Sequence, residues 1–427
     1  MDLLERVLFM WKYNCRRQFL TLSASFLIGF LVTLLFSSND MFWNMAQEVL
    51  PAETLAFFTA NPVMISVSAG LGFAGLVNVF EIGNMIATYY SGSTFLMILF
   101  LIMLPDVAMM IGILGLPVML IVSLYGWISL RMGVRKGLRV AKITGDDEIV
   151  RIYTLHHTLD EKYKALGEST RKTMRTAQFA SVLGLVAIAC VLFFLNNIWL
   201  VMLLLFVCMF AFQWISRFRS TAFQEITKLL YQDCDPEACM SALIYYSKRG
   251  KHYKLANRGL AALCLINLDE PSLAQDVLIE FRRANAADLL TYYSLMGSTY
   301  YQLSDESGVI RCAEEMSKLR MPRGPMGMVV KNFQYGMLEN KLNLMHGELN
   351  ESKKYFLNVM QSAQFNLQKA ECAYFIALIS YVQLDYVVAK MYFEKTIKYG
   401  GSLYYVDKAY GYLEKIQEKH LIDEPAE

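Results

Sequence analysis

Two long apolar runs, each flanked by polar residues, occupy much of the first 80 positions of the chain. Residues 19–36 carry no charge, and residues 62–80 form a second apolar run that ends at Glu81. A helix needs about 20 mostly apolar residues to cross the hydrocarbon core of a bilayer. The pattern therefore predicts membrane-spanning helices over 19–36 and 62–80.

A third apolar block covers about residues 85–130, where the only charge after Phe95 is Asp106. At about 1.5 Å of rise per residue this block is too long for one crossing. Because Pro105 and Asp106 favour a turn, we predict two spans, 85–104 and 107–130, with Asp106 at the outer surface. The alternative keeps Asp106 within the bilayer, where an acid is costly and indicates a function.

Residues 143–177 are polar and are predicted to form a solvated, cytoplasmic helical connector. A membrane hairpin is predicted over 178–216, in which Asn196 and Asn197 separate two further apolar runs. With the four spans of an N-terminal membrane domain, residues 1–142, the chain has six predicted crossings.

Basic residues mark the ends of these runs and predict the orientation, because cytoplasmic flanks are rich in Lys and Arg. They are Arg16, Arg17, Arg131, Arg135, Lys136, Arg139, Arg217 and Arg219. Both termini are thereby predicted to be cytoplasmic, in a multi-pass protein of a bacterial cell membrane. Arg16 and Arg17 also fit a twin-arginine export signal. The long apolar run and the poor cleavage site after it favour a retained anchor.

Amphipathic helices without strand-like alternation follow over residues 217–427. The clearest unit is 373–399, in which a turn at Leu384–Tyr386 separates two helices. In the second helix Ala389, Phe393 and Ile397 recur every four residues and form one apolar face.

This unit resembles the tetratricopeptide repeat, a helix pair of about 34 residues with small side chains where the helices touch. Ala377 and Ala389 match small positions and Phe393 an aromatic one, although the family's closing proline is absent. Earlier units match less well, and other helix-pair solenoids give similar matches. The residues predicted to pack the repeats are Ala274, Leu278, Phe281, Gly297, Tyr300, Val309, Ala313, Ser352, Phe356, Ala377, Ala389 and Phe393. The resemblance implies an all-α fold, with a polytopic α-helical membrane domain followed by a soluble tetratricopeptide-like α-solenoid.

Composition agrees with this division. The chain is 55% hydrophobic and only 18% charged, with a mean hydropathy of +0.33, whereas soluble domains average about 25% charged residues. A net charge of +2 gives no indication of nucleic-acid binding. The scattered cysteines predict reduced, buried thiols, and the Cys234–Cys239 spacing lacks a second ligand pair for a metal.

We find no catalytic motif in the sequence and predict neither an enzyme nor a cofactor. The G-x-G-x-x-G pattern of residues 70–75 lies inside an apolar run, where small residues favour helix packing over nucleotide binding. Paired tyrosines, at 245–246, 292–293, 300–301 and 404–405, are open to two interpretations: helix packing or a peptide-binding groove.

Two functions are consistent with these features, both of them with the lipid bilayer as a partner. The first is a membrane-anchored interaction or scaffold protein whose cytoplasmic repeats bind a partner protein or peptide. The second is a subunit of a transport or secretion system with the repeats as a docking platform. Charge inside the membrane would favour the second, and Glu81 and Asp106 are its candidates.

Overall fold

The computed structural model describes residues 3–37, 43, 44, 47, 51–90, 105–194, 198–321 and 325–418. Over these residues the protein is all-helical, with 17 α-helices and one antiparallel β-ribbon. The ribbon pairs Lys248–Arg249 (β1) with His252–Tyr253 (β2). Two residues per strand are too few to leave an alternating pattern in the sequence.

The helices of the first half of the chain include several that are much longer than the average globular helix. They are α1 (Leu3–Phe36), α2 (Ala52–Ala60), α3 (Pro62–Tyr90), α4 (Pro105–Val140), α5 (Asp146–His156), α6 (Lys164–Phe194) and α7 (Ile198–Tyr231).

Shorter helices follow in the second half. They are α8 (Pro236–Ser247), α9 (Arg258–Asn267), α10 (Pro271–Ile279), α11 (Ala286–Gln302), α12 (Glu306–Ser317), α13 (Pro325–Met345), α14 (Leu349–Ser362), α15 (Asn366–Val382), α16 (Tyr386–Gly400) and α17 (Tyr404–Glu418).

Three of the described helices are long and apolar enough to cross a membrane, over Leu4–Leu35, Pro62–Gly83 and Gly112–Val140. They overlap three of the predicted spans, and the protein is therefore a helical, membrane-associated one. The start of α4 at Pro105 agrees with the predicted turn at that residue. The predicted span 85–104 reaches into residues 91–104, which lie outside the described residues.

The predicted hairpin over 178–216 falls on α6 and α7. Its tip, residues 195–197, lies outside the described residues, as do the side chains of residues 185–203. The helix α7 does not end at the predicted boundary after residue 216 but continues to Tyr231. Near that end Ile226 and Leu230 are fully buried in a hydrophobic core that they share with helices of the C-terminal region.

Small residues bring the membrane helices together. A Cβ atom on Gly70 would lie 2.9 Å from the carbonyl oxygen of Phe26 on α1, and one on Gly112 would overlap the carbonyl oxygen of Gly75. Beside them Asn78 is fully buried and donates from Nδ2 to the carbonyl oxygen of Gly112 at 3.0 Å. Glycines of the G-x-G-x-x-G pattern thus lie where α3 meets α1 and α4.

The contacts also give the relative directions of these helices. Arg17 pairs with Glu81 while Gly29 lies against Gly70, so α1 and α3 are antiparallel. A Cβ atom on Gly126 would meet Cys15, whereas Leu22 packs in one cluster with Leu116, so α1 and α4 are antiparallel as well. It follows that α3 and α4 run in the same direction.

The chain forms two compact units. The first comprises Met1–Gly137, Arg282–Thr291 and Lys318–Asn332, and the second comprises the intervening segments and the C-terminal region. This division cuts the chain differently from the four predicted segments, because two short pieces of the predicted 217–427 domain group with the N-terminal region.

Within the first unit, the polar beginning of α1 contacts both short pieces. Asn14 donates from Nδ2 to the carbonyl oxygen of Ala284 at 3.2 Å and accepts a hydrogen bond from Arg282 at 2.8 Å. Nearer the N-terminus Arg6 donates to the carbonyl oxygen of Lys318 at 3.1 Å. These contacts hold residues from beyond position 280 against the start of the first membrane helix.

Five turns of the described second unit share one backbone geometry. A residue with φ between 53° and 79° ends the first helix of each pair, namely Cys234, Asp269, Ser304, Gly347 and Leu384. An acidic residue follows each, namely Asp235, Glu270, Asp305, Glu348 and Asp385. In the last four turns the backbone N–H of the acidic residue donates to the carbonyl oxygen five residues earlier, at 2.8–2.9 Å. This is a left-handed helix ending, and it recurs after 35, 35, 43 and 37 residues.

The helix α5 is not the solvated connector that its charges predict. Ile149, Val150 and Tyr153 are buried in the same core as Ile226. Three apolar residues on one face are enough to dock a helix of 11 residues. Its acid Asp147 remains exposed, whereas Asp146 pairs with Arg258 at 2.6 Å.

Candidate binding site

A cavity of about 280 Å³ opens in the second unit where the C-terminal ends of α11 and α13 and the middle of α15 meet the first turn of α17. Its lining is aromatic and aliphatic, with a few polar groups. The lining residues are Tyr301, Gln302, Ser304, Met345, Tyr374, Phe375, Leu378, Tyr404 and Lys408.

Interlocking rings form the wall of the cavity. The ring of Phe375 lies 6.0 Å from that of Tyr301, edge to face, and 4.9 Å from that of Phe356 in a stacked arrangement. Tyr374 and Tyr404 both pack against Tyr405, with ring centroids 4.9 and 4.1 Å apart. Such contacts fix side chains on four helices, so the wall is rigid before any ligand arrives.

A buried ion pair lies beneath this wall. Lys341 Nζ is 2.8 Å from Glu371 Oε1, and the Lys341 side chain is only 6% exposed. The ammonium group also lies 5.6 Å from the ring centroid of Phe375 and 5.9 Å from that of Tyr301. Since Tyr405 donates its hydroxyl to Glu371 at 3.3 Å, the two charges are compensated locally.

The mouth of the cavity is polar. Lys408 lies 4.5 Å above the ring of Tyr404 and pairs with Asp269 at 3.3 Å, with both side chains nearly half exposed. Ser304 is exposed, and Gln302 donates to the carbonyl oxygen of Ile266 at 2.8 Å. A ligand that enters here meets one positive charge and several groups that form hydrogen bonds.

The tyrosines of the wall stay neutral at physiological pH. Burial, together with the nearby Glu371, raises the pKa of Tyr301 to about 12. Burial raises the pKa of Tyr374 and of Tyr404 as well. The phenols therefore offer apolar faces and hydroxyl donors rather than negative charge.

A cavity of this size and lining suits one or two apolar side chains. Ligand pockets in proteins are mostly apolar, with a small number of polar groups that fix orientation.

The paired tyrosines divide between the two interpretations. Tyr301 and Tyr404 line the cavity. Tyr246 instead packs edge to face against Phe223, and Tyr292 packs against Phe281 at 6.1 Å. The hydroxyl of Tyr300 accepts a hydrogen bond from Arg311 at 3.1 Å, outside the cavity. Pairing in the sequence thus does not by itself distinguish a cavity residue from a packing residue.

The predicted repeat-packing residues all belong to the second unit, and most of them are buried there. Those fully buried are Ala274, Leu278, Val309, Ser352, Phe356, Ala377, Ala389 and Phe393. Ala313 is 8% exposed, and Phe281 and Tyr300 are half-buried. A Cβ atom on Gly297 would lie 2.6 Å from the end of the Leu338 side chain, so a larger residue there would require that side chain to move.

The predicted topology residues lie on the surface of their helices. Arg16 lies 5.7 Å from the ring centroid of Trp127, and Arg17 pairs with Glu81 at 3.3 Å. On α4 and α7 the exposed members are Arg131, Arg135, Lys136, Arg139, Arg217 and Arg219. Glu81 is therefore paired with a basic residue near the end of the candidate span Pro62–Gly83, and it is not an isolated intramembrane charge of the kind that would favour transport.

The cysteines and histidines have separate surroundings. Cys234 and Cys239 are buried free thiols, and burial raises the pKa of Cys234 to about 12. His156 pairs with Glu270 at 2.7 Å, and His157 pairs with Glu237 at 2.8 Å. The other ring nitrogen of His157, Nε2, lies 3.8 Å from Glu270, so the two neighbouring histidines share that carboxylate.

Most of the cavity lining, including Met345, Phe375 and Leu378, is not predicted from the sequence. The position of a residue relative to the turn of its helix pair could have indicated part of the lining. Tyr301 and Met345 lie three and two residues before the positive-φ residues of their turns, at the ends of consecutive first helices. Aligning the chain on its five turns would have placed both side chains in the last turns of their helices.

No protein-family model, curated protein sequence or solved structure matches the chain.

Proposed function

We propose that the protein is a membrane-anchored interaction protein whose cytoplasmic helical repeats bind a peptide segment of a partner protein. The observation that carries this proposal is the preformed aromatic cavity between consecutive helix pairs. The lining residues that the structure describes are mostly aromatic and aliphatic and include no nucleophile paired with a base, which supports ligand binding rather than catalysis.

The second unit is proposed to be a tetratricopeptide-like α-solenoid. Five turns with one geometry, each followed by an acid, support a repeated helix pair. The predicted small position of the second helix supports it too. Ala274, Val309, Ser352 and Ala389 lie four residues after the acids of their turns, and each is fully buried. Stacked helix pairs expose a continuous surface for partner segments.

The membrane part is proposed to be multi-pass with both termini in the cytoplasm. In that topology α3 and α4 both run from the outer surface to the cytoplasm, which agrees with their parallel direction. The contacts of Asn14 and Arg6 with residues 284 and 318 support placement of those two residues on the side of the N-terminus. Basic flanks support the cytoplasm as that side.

The ligand is proposed to be an extended peptide with an aromatic or long aliphatic side chain next to an acidic residue. The apolar side chain would contact Phe375, Leu378 and Met345 in the cavity. The acidic residue would compete with Asp269 for Lys408 at the mouth. Full burial of one such side chain contributes about 1.5–3 kcal/mol, enough for a specific but reversible contact.

The test is a peptide-display selection on the purified full-length protein in detergent micelles. We expect enriched peptides to share one large apolar position, and we expect Met345→Trp, which fills the cavity, to weaken their binding about tenfold or more. The matched control is Met391→Trp on α16, since Met391 is an exposed methionine outside the cavity. Peptides that bind wild type and Met345→Trp equally well would show that the cavity is not the site.

A further inference from the structure

The register of α6 against α7 is fixed by two contacts. Thr170 Oγ1 donates to the carbonyl oxygen of Ala222 at 3.3 Å. Further along, a Cβ atom on Gly184 would lie 3.1 Å from the ring of Phe212. The helices are therefore antiparallel, and the axial position of each residue can be counted from the Thr170–Ala222 hydrogen bond.

Four exposed basic residues lie at nearly the same level of this hairpin. Arg175 and Arg217 each lie five residues from that hydrogen bond toward the tip, about 7.5 Å along the axis. Lys172 and Arg219 lie two and three residues from it, about 3 and 4.5 Å. We call Lys172, Arg175, Arg217 and Arg219 the basic band.

An aromatic layer follows the basic band. Trp214 lies eight residues from Ala222, and Phe179 lies nine residues from Thr170, which places both at about 12–13.5 Å. Their exposed fractions are 73% and 71%. Exposed Trp and other aromatic rings at one level are typical of the membrane–water interface.

Beyond the aromatic layer the described side chains are apolar and open. Val182 and Leu183 on α6, and Phe206 and Phe210 on α7, are each more than half exposed. Water-soluble surfaces rarely expose so many large apolar groups together. The order from the soluble core outward is basic, aromatic and apolar, which matches headgroup, interface and hydrocarbon.

We propose that the basic band is a binding site for the phosphate groups of anionic phospholipids. Guanidinium groups bind phosphate through two parallel hydrogen bonds, and the band contains three of them with one ammonium group. The acyl chains of the same lipid lie against Phe179 and Trp214. This site rests on the proposed insertion of the hairpin in the membrane.

An anionic lipid is favoured over a zwitterionic one by charge. A zwitterionic headgroup brings its own cation into a site that already holds four positive charges, whereas an anionic headgroup neutralises them. The bound headgroups hold α7 at a fixed depth, and α7 carries Ile226 and Leu230 in the core of the repeats. Lipid composition thereby sets how firmly this helix is held at the membrane.

The experiment measures lipid dissociation constants for the delipidated full chain by native mass spectrometry. We expect phosphatidylglycerol to bind about tenfold more tightly than phosphatidylcholine, a preference that a few basic residues at a membrane surface account for. The variant Lys172→Gln, Arg175→Gln, Arg217→Gln, Arg219→Gln should lose this preference. The control variant Arg249→Gln, Lys354→Gln, Lys398→Gln, Lys415→Gln loses the same four charges at exposed positions of the second unit and should keep it.

Three results would overturn the site. The wild type could show no preference for phosphatidylglycerol, the variant of the basic band could keep that preference, or the control variant could lose it to the same extent. Competition by glycerol phosphate at the lipid's concentration would identify a soluble anion rather than a lipid as the ligand. Labelling of Asn197→Cys from outside intact cells separates this proposal from the insertion on which it rests. External labelling without lipid preference removes only the lipid site, whereas absence of external labelling removes the inserted hairpin and the lipid site together.

Discussion

Asp276 on α10 is a carboxylate whose charge is disfavoured in the folded protein. Burial raises the pKa of its carboxyl group to about 6, so the folded state holds a proton there that the unfolded chain releases near pH 4. The group's contribution to stability is therefore largest below about pH 4 and falls as the pH rises to about 6. A shift of this size corresponds to about 3 kcal/mol at most, and partial exposure reduces it to about 1 kcal/mol.

We expect Asp276→Asn to stabilise the protein at neutral pH, because the amide carries no charge to desolvate. Thermal unfolding of the full chain in detergent at pH 7.5 should shift upward by a few degrees, about what 1 kcal/mol produces. At pH 4 the shift should be close to zero, since the carboxyl group is then protonated in the folded state. Equal shifts at both pH values would indicate an effect of the amide unrelated to ionisation.

Gly112 shows how closely two membrane helices approach at one residue. A Cβ atom there would overlap the carbonyl oxygen of Gly75, whereas a Cβ atom on Gly133 in the same helix would meet nothing within 4 Å. We expect Gly112→Ala to lower the unfolding temperature of the full chain in detergent, because α3 and α4 must separate. Gly133→Ala should leave it unchanged or raise it, since alanine is the better helix former. A similar change of the unfolding temperature in both variants would show that helix propensity, and not packing between α3 and α4, determines the effect.

The turns between paired helices are stabilised unequally by the acids that follow them. Asp385 accepts a hydrogen bond from the backbone N–H of Val388 at 3.3 Å, whereas the side chain of Glu348 forms no capping hydrogen bond with its own helix. We expect Asp385→Ala to lower the free energy of unfolding by about 1 kcal/mol. Glu348→Ala, the matched control, should change it by a few tenths of a kcal/mol.

Denaturant unfolding of the full chain, followed by circular dichroism, measures both changes. Equal losses for the two variants would mean that charge near the helix start is the stabilising factor. A null effect of Asp385→Ala would mean that the left-handed turn alone fixes the start of α16.

At the scale of elements, the sequence predicts the helix pairs better than it predicts their turns. The spacing of Ala274, Val309, Ser352 and Ala389 is visible because small residues recur where helices touch. The left-handed positions are hidden, because among the five only Gly347 and, more weakly, Asp269 are residue types that favour a positive φ. The docking of α5 is also hidden, since a few buried residues on a charged helix leave a weak apolar pattern.

At the scale of the whole molecule, the cavity is the feature that sequence predicts least. Tyr301, Met345 and Tyr404 line one space although more than 100 positions separate the first from the last. Local sequence patterns carry no information on which helix ends lie together, because the meeting of helix ends depends on how the helix pairs stack on one another. Membrane spans are predictable for the opposite reason, since the bilayer imposes a length and an apolar composition on a contiguous segment.

Three features support the proposed orientation of the protein in the membrane. Basic residues flank the predicted cytoplasmic ends, Arg17 and Glu81 pair at one end of the α1–α3 contact, and Arg6 contacts the carbonyl of Lys318. If α1 begins in the cytoplasm, residue 318 lies in the cytoplasm as well. The exposed Glu351 on α14 and the predicted outer turn at Asp106 are therefore expected on opposite sides.

Labelling with a membrane-impermeant maleimide tests this arrangement in intact cells. Asp106→Cys should react from outside, and Glu351→Cys should react only after the cells are opened. The wild-type chain gives the background, which should be low because burial raises the pKa of Cys234 and of Cys312 to about 12 and so leaves little reactive thiolate. External labelling of Glu351→Cys would place the repeats outside the cell. The proposed peptide partner would then have to be sought there.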